Sequence, residues 1–255
     1  MNSIYELFLY FFIYSVIGWI VEMIYCAILD GKFTERGFLY GPYCPIYGFG
    51  GIIVSIFLNP FKDKIWLVFL LAMLLTTVLE YITSFLMEKI FDAKWWDYST
   101  YFLNINGRVC LRNTILFGIL GLVITYLIHP YVYKLIYLIP GIYVPYIAFS
   151  LAIILFIDFV ITLNSFFNFK GKLKELQELV EKDKEKNKNY NNEIIQKIEE
   201  LHKHLAEMKS SFSSRRLIKA FPNLKFSKLN NAFEDIKTNL TTQLENKKKK
   251  TTKNS

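Results

Sequence analysis

Cysteine and histidine are too few and too scattered in this sequence for a disulfide framework or a metal site. The three cysteines, Cys26, Cys44 and Cys110, are odd in number and follow no zinc spacing. His202 and His204 lie two positions apart on a predicted helix, so they point in different directions. We therefore expect no metal and no cofactor, and each cysteine suits a small buried apolar position.

Motifs for nucleotide and nucleophile chemistry are also absent. G-x-x-x-x-G-K-[ST] does not occur, so the sequence offers no P-loop for ATP hydrolysis. H-E-x-x-H and G-x-S-x-G do not occur either. Gly48-x-Gly50-Gly51 lacks the third glycine and the preceding strand of a dinucleotide site. The sequence therefore favours a non-enzymatic role over an enzymatic one.

Charge is scarce in the front of the chain and plentiful at the back. From Lys170 onward lie 21 of the 30 Lys and Arg residues and 12 of the 22 Asp and Glu residues. Hydrophobic residues make up 53% of the chain and aromatic residues 17%, and both fractions are higher than is usual in soluble proteins. We predict a transmembrane helical domain over residues 1–169. A basic helical cytoplasmic tail, partly disordered at its C-terminal end, follows over 170–255.

Apolar runs in the front predict an all-α membrane protein with about five transmembrane helices. A spanning helix needs about 20 mostly apolar residues. The run at 115–128 is brief and ends at Pro130, and residues 131–139 are predicted to lie at the membrane interface. The run at 46–58 is short and glycine-rich, so it either spans or re-enters. The clear candidates are residues 7–29, 65–87 and 143–167.

Lys and Arg are distributed unequally between the two sides of this predicted bundle. With five spans, one side receives few basic residues, among them Lys62 and Lys134. The other side receives Lys89, Arg112 and the whole basic tail. Because basic loops face the cytoplasm, the N-terminus is predicted outside and the C-terminus inside the cell membrane.

The stretch RGFLYGPYCPIYGFGG, residues 36–51, carries five glycines and two prolines among aromatics. Pro42 and Pro45 disfavour regular helix through this part of the chain, because each lacks a backbone donor. Irregular backbone near membrane depth survives where protein covers it or where it lines a wet cavity. The stretch is therefore either a packed re-entrant element or an interfacial loop whose aromatics lie among lipid headgroups.

Three carboxylates interrupt the apolar runs at a shared depth. Glu22, Glu80 and Asp158 each lie late in a helix that runs towards the cytoplasm, level with the 36–51 element. An ionised group there costs roughly 2.5–3.5 kcal/mol on insertion scales, so it faces a cavity or a partner. For Glu22 and Glu80 we favour a site-building role over ion pairing with Arg36, Arg108 or Arg112. For Asp158, snorkelling towards the inner interface is an equally good interpretation.

A second unusual loop, KWWDYSTYFLNINGRVCLRN, covers residues 94–113. Trp95 and Trp96 after a lysine are typical of a membrane interface belt. Asp97, Asn104 and Arg108 offer carboxylate, amide and guanidinium groups that suit a polar headgroup or an anion. Composition alone is weak evidence that these groups form a polar site.

Four motifs together resemble a known family. YSVIGWIVEMIY, GKFTERGFLYGPYCPIYGFGG, LEYITSFLMEKIF, and KWWDYS with NINGR are similar, in order and spacing, to the bacterial putative ABC-transporter type IV permease family. The resemblance covers about residues 8–125. It implies a multi-pass membrane protein labelled as a transporter permease, with any ATPase on a separate polypeptide, and it carries no substrate. The candidate pocket or pathway residues are Glu22, Arg36, Tyr40, Tyr47, Glu80, Ser84, Trp96, Asp97, Asn104 and Arg108, and the structural loop residues are Gly37, Gly41, Pro42, Pro45 and Gly48.

Three functions remain open from the sequence. A permease subunit with a cytoplasmic-side polar pocket is favoured by the resemblance. A membrane-embedded enzyme acting on a lipid or lipid-linked substrate would use the paired carboxylates as acid and base. A membrane scaffold would recruit partners through its tail.

Apolar residues of the tail step by three and four. This pattern predicts amphipathic helices that pair with partner helices or with a second copy through residues 173–208 and 224–244, including a short coiled coil at 194–208. Lysines at 247–250 are drawn to anionic lipid of the inner leaflet. Nucleic-acid binding is the weaker interpretation, because aromatic residues are sparse among the basic ones.

Overall fold

The computed structural model describes residues 3–30, 37–185, 216, 218–221, 224–226 and 229, and this part of the chain is mostly helical. The chain divides into two units, Met1–Thr162 and Leu163–Ser255. In chain order the elements are α1 (Ile4–Asp30), α2 (Pro45–Phe57), a 3₁₀ turn (Asn59–Phe61), α3 (Ile65–Phe91), β1 (Ala93–Lys94), α4 (Leu111–Val123), a π-helical segment (Ile124–Ile128), α5 (His129–Tyr137), α6 (Val144–Glu185) and β2 (Lys225–Phe226).

Four helical stretches are long and apolar enough to cross a membrane. Their mean hydropathy lies between 2.0 and 2.4, and the described residues contain only one shorter apolar helix, α2. The predicted all-α membrane fold is therefore confirmed. The 13 residues of α2 cover about 20 Å at 1.5 Å per residue, which falls short of a hydrocarbon core of about 30 Å. The long stretches are Ile4–Ile28, Ile65–Phe91, Leu111–Tyr137 and Val144–Glu175.

Residues 37–44 lie beside the middle of α1 rather than beyond its end. The backbone amide of Cys44 donates to the carbonyl of Ser15 at 2.9 Å, and a Cβ on Gly37 would lie 3.7 Å from the Trp19 ring. The helix α2 then continues antiparallel to the first half of α1. We refer to this irregular segment and α2 together as the broken crossing, because α2 alone is too short to span a hydrocarbon core. The backbone amides of Tyr40 and Gly41 in this segment donate to Asp158, which suits the interpretation as a packed element.

Small residues bring α1 and α2 into close contact. A Cβ on Gly48 would collide with Ser15 Oγ, and a Cβ on Gly51 would collide with the ring of Tyr14. Pro45 stands at the first turn of α2, where its missing N–H costs no intrahelical hydrogen bond. Pro45 and Gly48 are therefore helical residues, and the prediction that they belong to the irregular loop is wrong.

The third long stretch, Leu111–Tyr137, continues through Pro130 and does not end there. A π-helical segment, Ile124–Ile128, joins α4 to α5, and Pro130 lies in the first turn of α5. The wider π turn removes the need for the hydrogen bond that proline cannot donate. The predicted separate interfacial stretch at 131–139 is therefore wrong, since residues up to Tyr137 belong to the same span.

The two ends of the first unit are distinguished by their contacts. The Tyr126 hydroxyl donates to the Lys62 carbonyl at 2.6 Å. Tyr10 shares an apolar cluster with Val132 and Val144. The start of α1 and the connections at 58–64 and 138–143 therefore lie at one end of the bundle. The loop at 92–110 lies at the other end.

The second unit begins within α6. Phe166 and Phe169 are buried, and their ring centroids lie 6.2 and 6.3 Å from that of Phe226. Residues 225 and 226 are extended, so the prediction that a partner helix begins at 224 is wrong there. The coiled coil at 194–208 and most of the predicted partner helices lie outside the described residues.

Candidate functional site

The first half of the candidate site is a hydrogen bond between α1 and α2. Gly18 has no side chain, so the ring of Tyr47 packs directly over it. Glu22 stands one turn further along the same face of α1. The Tyr47 hydroxyl consequently donates to Glu22 Oε2 at 2.5 Å, and Cys26 Sγ lies 3.7 Å from Glu22 Oε1.

Glu80 of α3 forms the second half. The residue is only 5% exposed, and its Oε2 atom has no hydrogen-bond partner in the part of the chain that the structure describes. Tyr98 from the 92–110 loop and Asn113 from α4 interact with the same carboxyl group, and Glu22 is close enough to repel it. Glu22 and Glu80 therefore belong to one polar cluster inside the bundle.

Close packing of α3 on α4 places Asn113 beside Glu80. A Cβ on Gly121 would collide with Ala72, and Thr77 donates to Thr114 at 3.0 Å. Thr114 follows Asn113 directly, and Thr77 precedes Glu80 by three residues. The contact therefore brings the first turn of α4 to the level of Glu80 on α3.

The cluster has no basic member among the described residues. Neither Glu22 nor Glu80 forms an ion pair with any lysine or arginine there. Burial raises the pKa of the Tyr98 hydroxyl far above its usual range, and the neighbouring Glu80 and Glu22 raise it further. Tyr98 therefore remains neutral and acts as a donor towards Glu80. An ionised carboxylate in such surroundings is costly unless it is paired or neutralised.

Arg108 is paired outside this cluster. One guanidinium nitrogen lies 2.6 Å from Glu88 Oε2, and the other donates to Ser84 Oγ at 3.4 Å. The guanidinium carbon lies 5.7 Å and 5.4 Å from the ring centroids of Tyr81 and Phe85. Arg108 therefore fixes the loop to the end of α3, where its charge is already balanced.

Other polar side chains of the 92–110 loop hold the loop itself together. Asn104 donates to the carbonyls of Ser99 and Tyr101 at 3.1 and 3.0 Å. Trp96 Nε1 donates to the Arg108 carbonyl at 3.0 Å, and Asp97 Oδ1 accepts from the Ser99 amide at 3.0 Å. In this structure these groups define the loop conformation rather than line a common pocket with Glu22 and Glu80.

Trp95 does not lie in an interfacial belt. It is only 3% exposed, and its ring packs edge-on against Phe38 at 5.1 Å and Phe91 at 5.6 Å between centroids. The prediction of an interface position is wrong for Trp95. An aromatic cluster joins the irregular segment, the end of α3 and the second loop.

Asp158 is the acceptor that holds the irregular segment. Its carboxylate accepts the backbone amides of Tyr40 at 3.0 Å and Gly41 at 2.7 Å, the Tyr43 hydroxyl at 2.5 Å and Thr162 Oγ1 at 3.1 Å. With four donors around a residue that is 9% exposed, Asp158 does not snorkel. It compensates for the hydrogen bonds that a helix would have made.

The structure brings some of the predicted site residues together in one cluster and places others elsewhere. Glu22, Tyr47 and Glu80 form the cluster, Tyr40 and Gly41 contact Asp158, and Arg36 lies outside the described residues. Sequence reasoning omitted Tyr98 and Asn113 from the site, although Asn113 is a polar residue in the first turn of a span. The described hydrogen bonds of Ser84, Trp96, Asn104 and Arg108 lie elsewhere, and Asp97 accepts the Ser99 amide.

The fold and the cluster define a class of protein, a multi-pass helical membrane protein with a broken crossing and a buried polar centre. Residues 9–163 match the family described as "Putative ABC-transporter type IV". Since the match covers more than half of the chain, the protein belongs to this family. No curated protein and no solved structure matches the chain.

Proposed function

We propose that the protein is a permease subunit of an ABC-type transport system and that the Glu22–Glu80 cluster lies on its pathway. The observation that carries the proposal is the position of the cluster. It lies between the broken crossing and the α3–α4 pair, and an apolar bundle does not need a polar centre for its stability.

The broken crossing suits the role of a gate or floor. Its irregular half is held by Asp158 on one side and by the Ser15 carbonyl on the other. Tyr47, at the start of its helical half, binds Glu22. A small shift of this element therefore changes the environment of the carboxylates without unfolding a long helix.

The distribution of basic residues supports an N-terminus outside and a C-terminus in the cytoplasm. The 92–110 loop would then face the cytoplasm beside the polar cluster. Because the sequence has no P-loop, ATP hydrolysis requires a separate ATPase subunit. Such a subunit would reach the bundle from this side.

Purification of the full-length protein from its native membrane in a gentle detergent tests the proposal. We expect a P-loop ATPase to co-purify in stoichiometric amount, together with ATP hydrolysis. An unrelated multi-pass protein carrying the same affinity tag is the matched control. Reproducible absence of an ATPase would contradict the proposal and favour a membrane-embedded enzyme that acts on a lipid or lipid-linked substrate.

A further inference from the structure

The carboxyl group of Glu80 poses an electrostatic problem that the described fold does not answer. Glu80 is 5% exposed, its Oε2 is buried without a hydrogen-bond partner, and a second carboxylate, Glu22, interacts with it. Two carboxylates that share an apolar site do not both ionise without a compensating cation. The pair of Glu22 and Glu80 therefore requires a bound proton or another positive charge.

The described groups that interact with Glu80 are Tyr98, Asn113 and Glu22, and none of them is basic. Arg108 lies one turn further along α3 at Ser84, where Glu88 already neutralises it. Arg112 interacts with Tyr25, as Glu22 does, and its guanidinium carbon lies 6.0 Å from the ring centroid of Tyr101. The titratable neighbours of the two carboxylates are Tyr25, Tyr47, Tyr98, Cys26 and Cys44.

The two carboxylates differ in how they are solvated. Glu22 accepts the Tyr47 hydroxyl at 2.5 Å and is partly exposed. Glu80 is the more deeply buried group and keeps an oxygen without a donor. Of the two carboxyl groups, Glu80 therefore has the surroundings that favour the neutral form more strongly.

We infer that Glu80 holds an exchangeable proton in the membrane interior, beside Glu22. The equilibrium is Glu80–COO⁻ + H⁺ ⇌ Glu80–COOH, with the proton on the unpartnered oxygen. Loss of the proton would add a negative charge to the cluster and favour a movement of the Tyr47 segment. The inference concerns the site of the proposed permease pathway, but proton binding itself does not depend on transport.

Carbodiimide labelling tests the inference directly. Dicyclohexylcarbodiimide is apolar and reacts with protonated carboxyl groups, so the full-length protein in lipid nanodiscs is treated with it and mapped by mass spectrometry. We expect Glu80 to be labelled several-fold more than Glu88 at neutral pH, and we expect labelling to fall as the pH rises. Glu88 is the matched control, because it lies on the same helix in an ion pair.

Two variants and one salt series make the outcome decisive. Labelling should disappear from the Glu80 peptide in Glu80→Gln and persist there in Glu88→Gln. It should also persist when Na⁺ or K⁺ replaces choline at constant pH and ionic strength. Labelling of Glu80 no greater than that of Glu88 would overturn the inference. Protection by Na⁺ or K⁺ would overturn it too, since the site would then bind a metal cation.

A second measurement covers the case in which a variant misfolds. The infrared carbonyl band of a protonated carboxylic acid should be present in the wild-type protein at neutral pH and absent in Glu80→Gln. It should remain in Tyr126→Phe, a variant at the other end of the bundle. Absence of the band in the wild-type protein would overturn the inference. Neither measurement requires an ATPase, so the failure of proton binding is distinguishable from the failure of the proposed permease function.

Discussion

Asp158 of α6 accepts the backbone amide of Gly41 at 2.7 Å, although the two residues are 117 positions apart in the chain. The same carboxylate also accepts the amide of Tyr40 and the hydroxyl of Tyr43. One side chain therefore satisfies a segment whose backbone cannot form helical hydrogen bonds. This contact makes irregular backbone possible at the height of the middle of α1.

Replacing Asp158 should destabilise the bundle strongly. Asp158→Ala leaves two backbone amides without acceptors, at about 1–3 kcal/mol for each buried group. We expect a clear fall in the midpoint of thermal unfolding in detergent micelles. Ser150→Ala, at an exposed position of the same helix, is the control and should change little. An unfolding midpoint unchanged in Asp158→Ala would show that the segment is held by other contacts.

Glycines in α2 should differ sharply in their tolerance of alanine. In Gly48→Ala the new methyl group would meet Ser15 Oγ and the Phe11 carbonyl, and overpacking of this kind costs about 1–3 kcal/mol. In Gly50→Ala the methyl group would lie 3.7 Å from Leu79, an ordinary contact. Alanine should therefore stabilise α2 there by up to about 1 kcal/mol through helix propensity.

The measurement for the glycine pair is thermal unfolding of both variants in the same detergent. A lower midpoint for Gly48→Ala and an equal or higher midpoint for Gly50→Ala are expected. Equal destabilisation by both would mean that α1 and α2 are not packed in the described register.

Tyr47 and Glu22 should be energetically coupled. A double-mutant cycle with Tyr47→Phe and Glu22→Gln should give an interaction free energy of about 1.5–3 kcal/mol, the range for a hydrogen bond to a charged group. Tyr126→Phe replaces Tyr47→Phe in the control cycle, because Tyr126 donates to Lys62 at the other end of the bundle. Distant pairs are additive within about 0.5 kcal/mol. Additivity for Tyr47 and Glu22 as well would contradict their contact.

The broken crossing makes a prediction about topology. Gly141 has no atom within 4 Å of a Cβ placed there, and Phe102 is 77% exposed. A cysteine at Ser3, Lys62 or Gly141 should react with an impermeant thiol reagent from one side of the membrane, and a cysteine at Phe102 from the other. The three native cysteines are buried, so they should react slowly. Labelling of the Ser3 and Lys62 positions from opposite sides would contradict five crossings.

Much of the fold was predictable, because each membrane span is a continuous run of apolar residues in the sequence. Runs of apolar residues identify α1, α3 and α6 without reference to any partner. The continuation through Pro130 was missed, since a π-helical turn depends on the backbone and leaves no composition signal. The close packing of α2 on α1 depends on which residue faces each glycine, and this emerges only from the folded pair.

Part of the candidate site was also predictable, because charged residues stand out within apolar runs. Glu22 and Glu80 are conspicuous as carboxylates within apolar helices, and their shared depth follows from counting residues along each span. Arg108 is also polar, but its partners, Glu88 and Ser84, lie at the end of α3. Sequence position alone does not reveal that. Asp158 was undervalued because its donors are backbone amides of a segment far away in the chain.

The measurement that tests the pathway most directly is ATP hydrolysis by the complex purified with its ATPase, reconstituted in nanodiscs. The account predicts that the Glu22→Gln, Glu80→Gln double variant assembles normally but loses hydrolysis that depends on the permease. A Glu6→Gln variant, altered at the exposed start of α1, should retain wild-type hydrolysis. Wild-type hydrolysis in the double variant would contradict the account and leave the buried carboxylates without a role in transport.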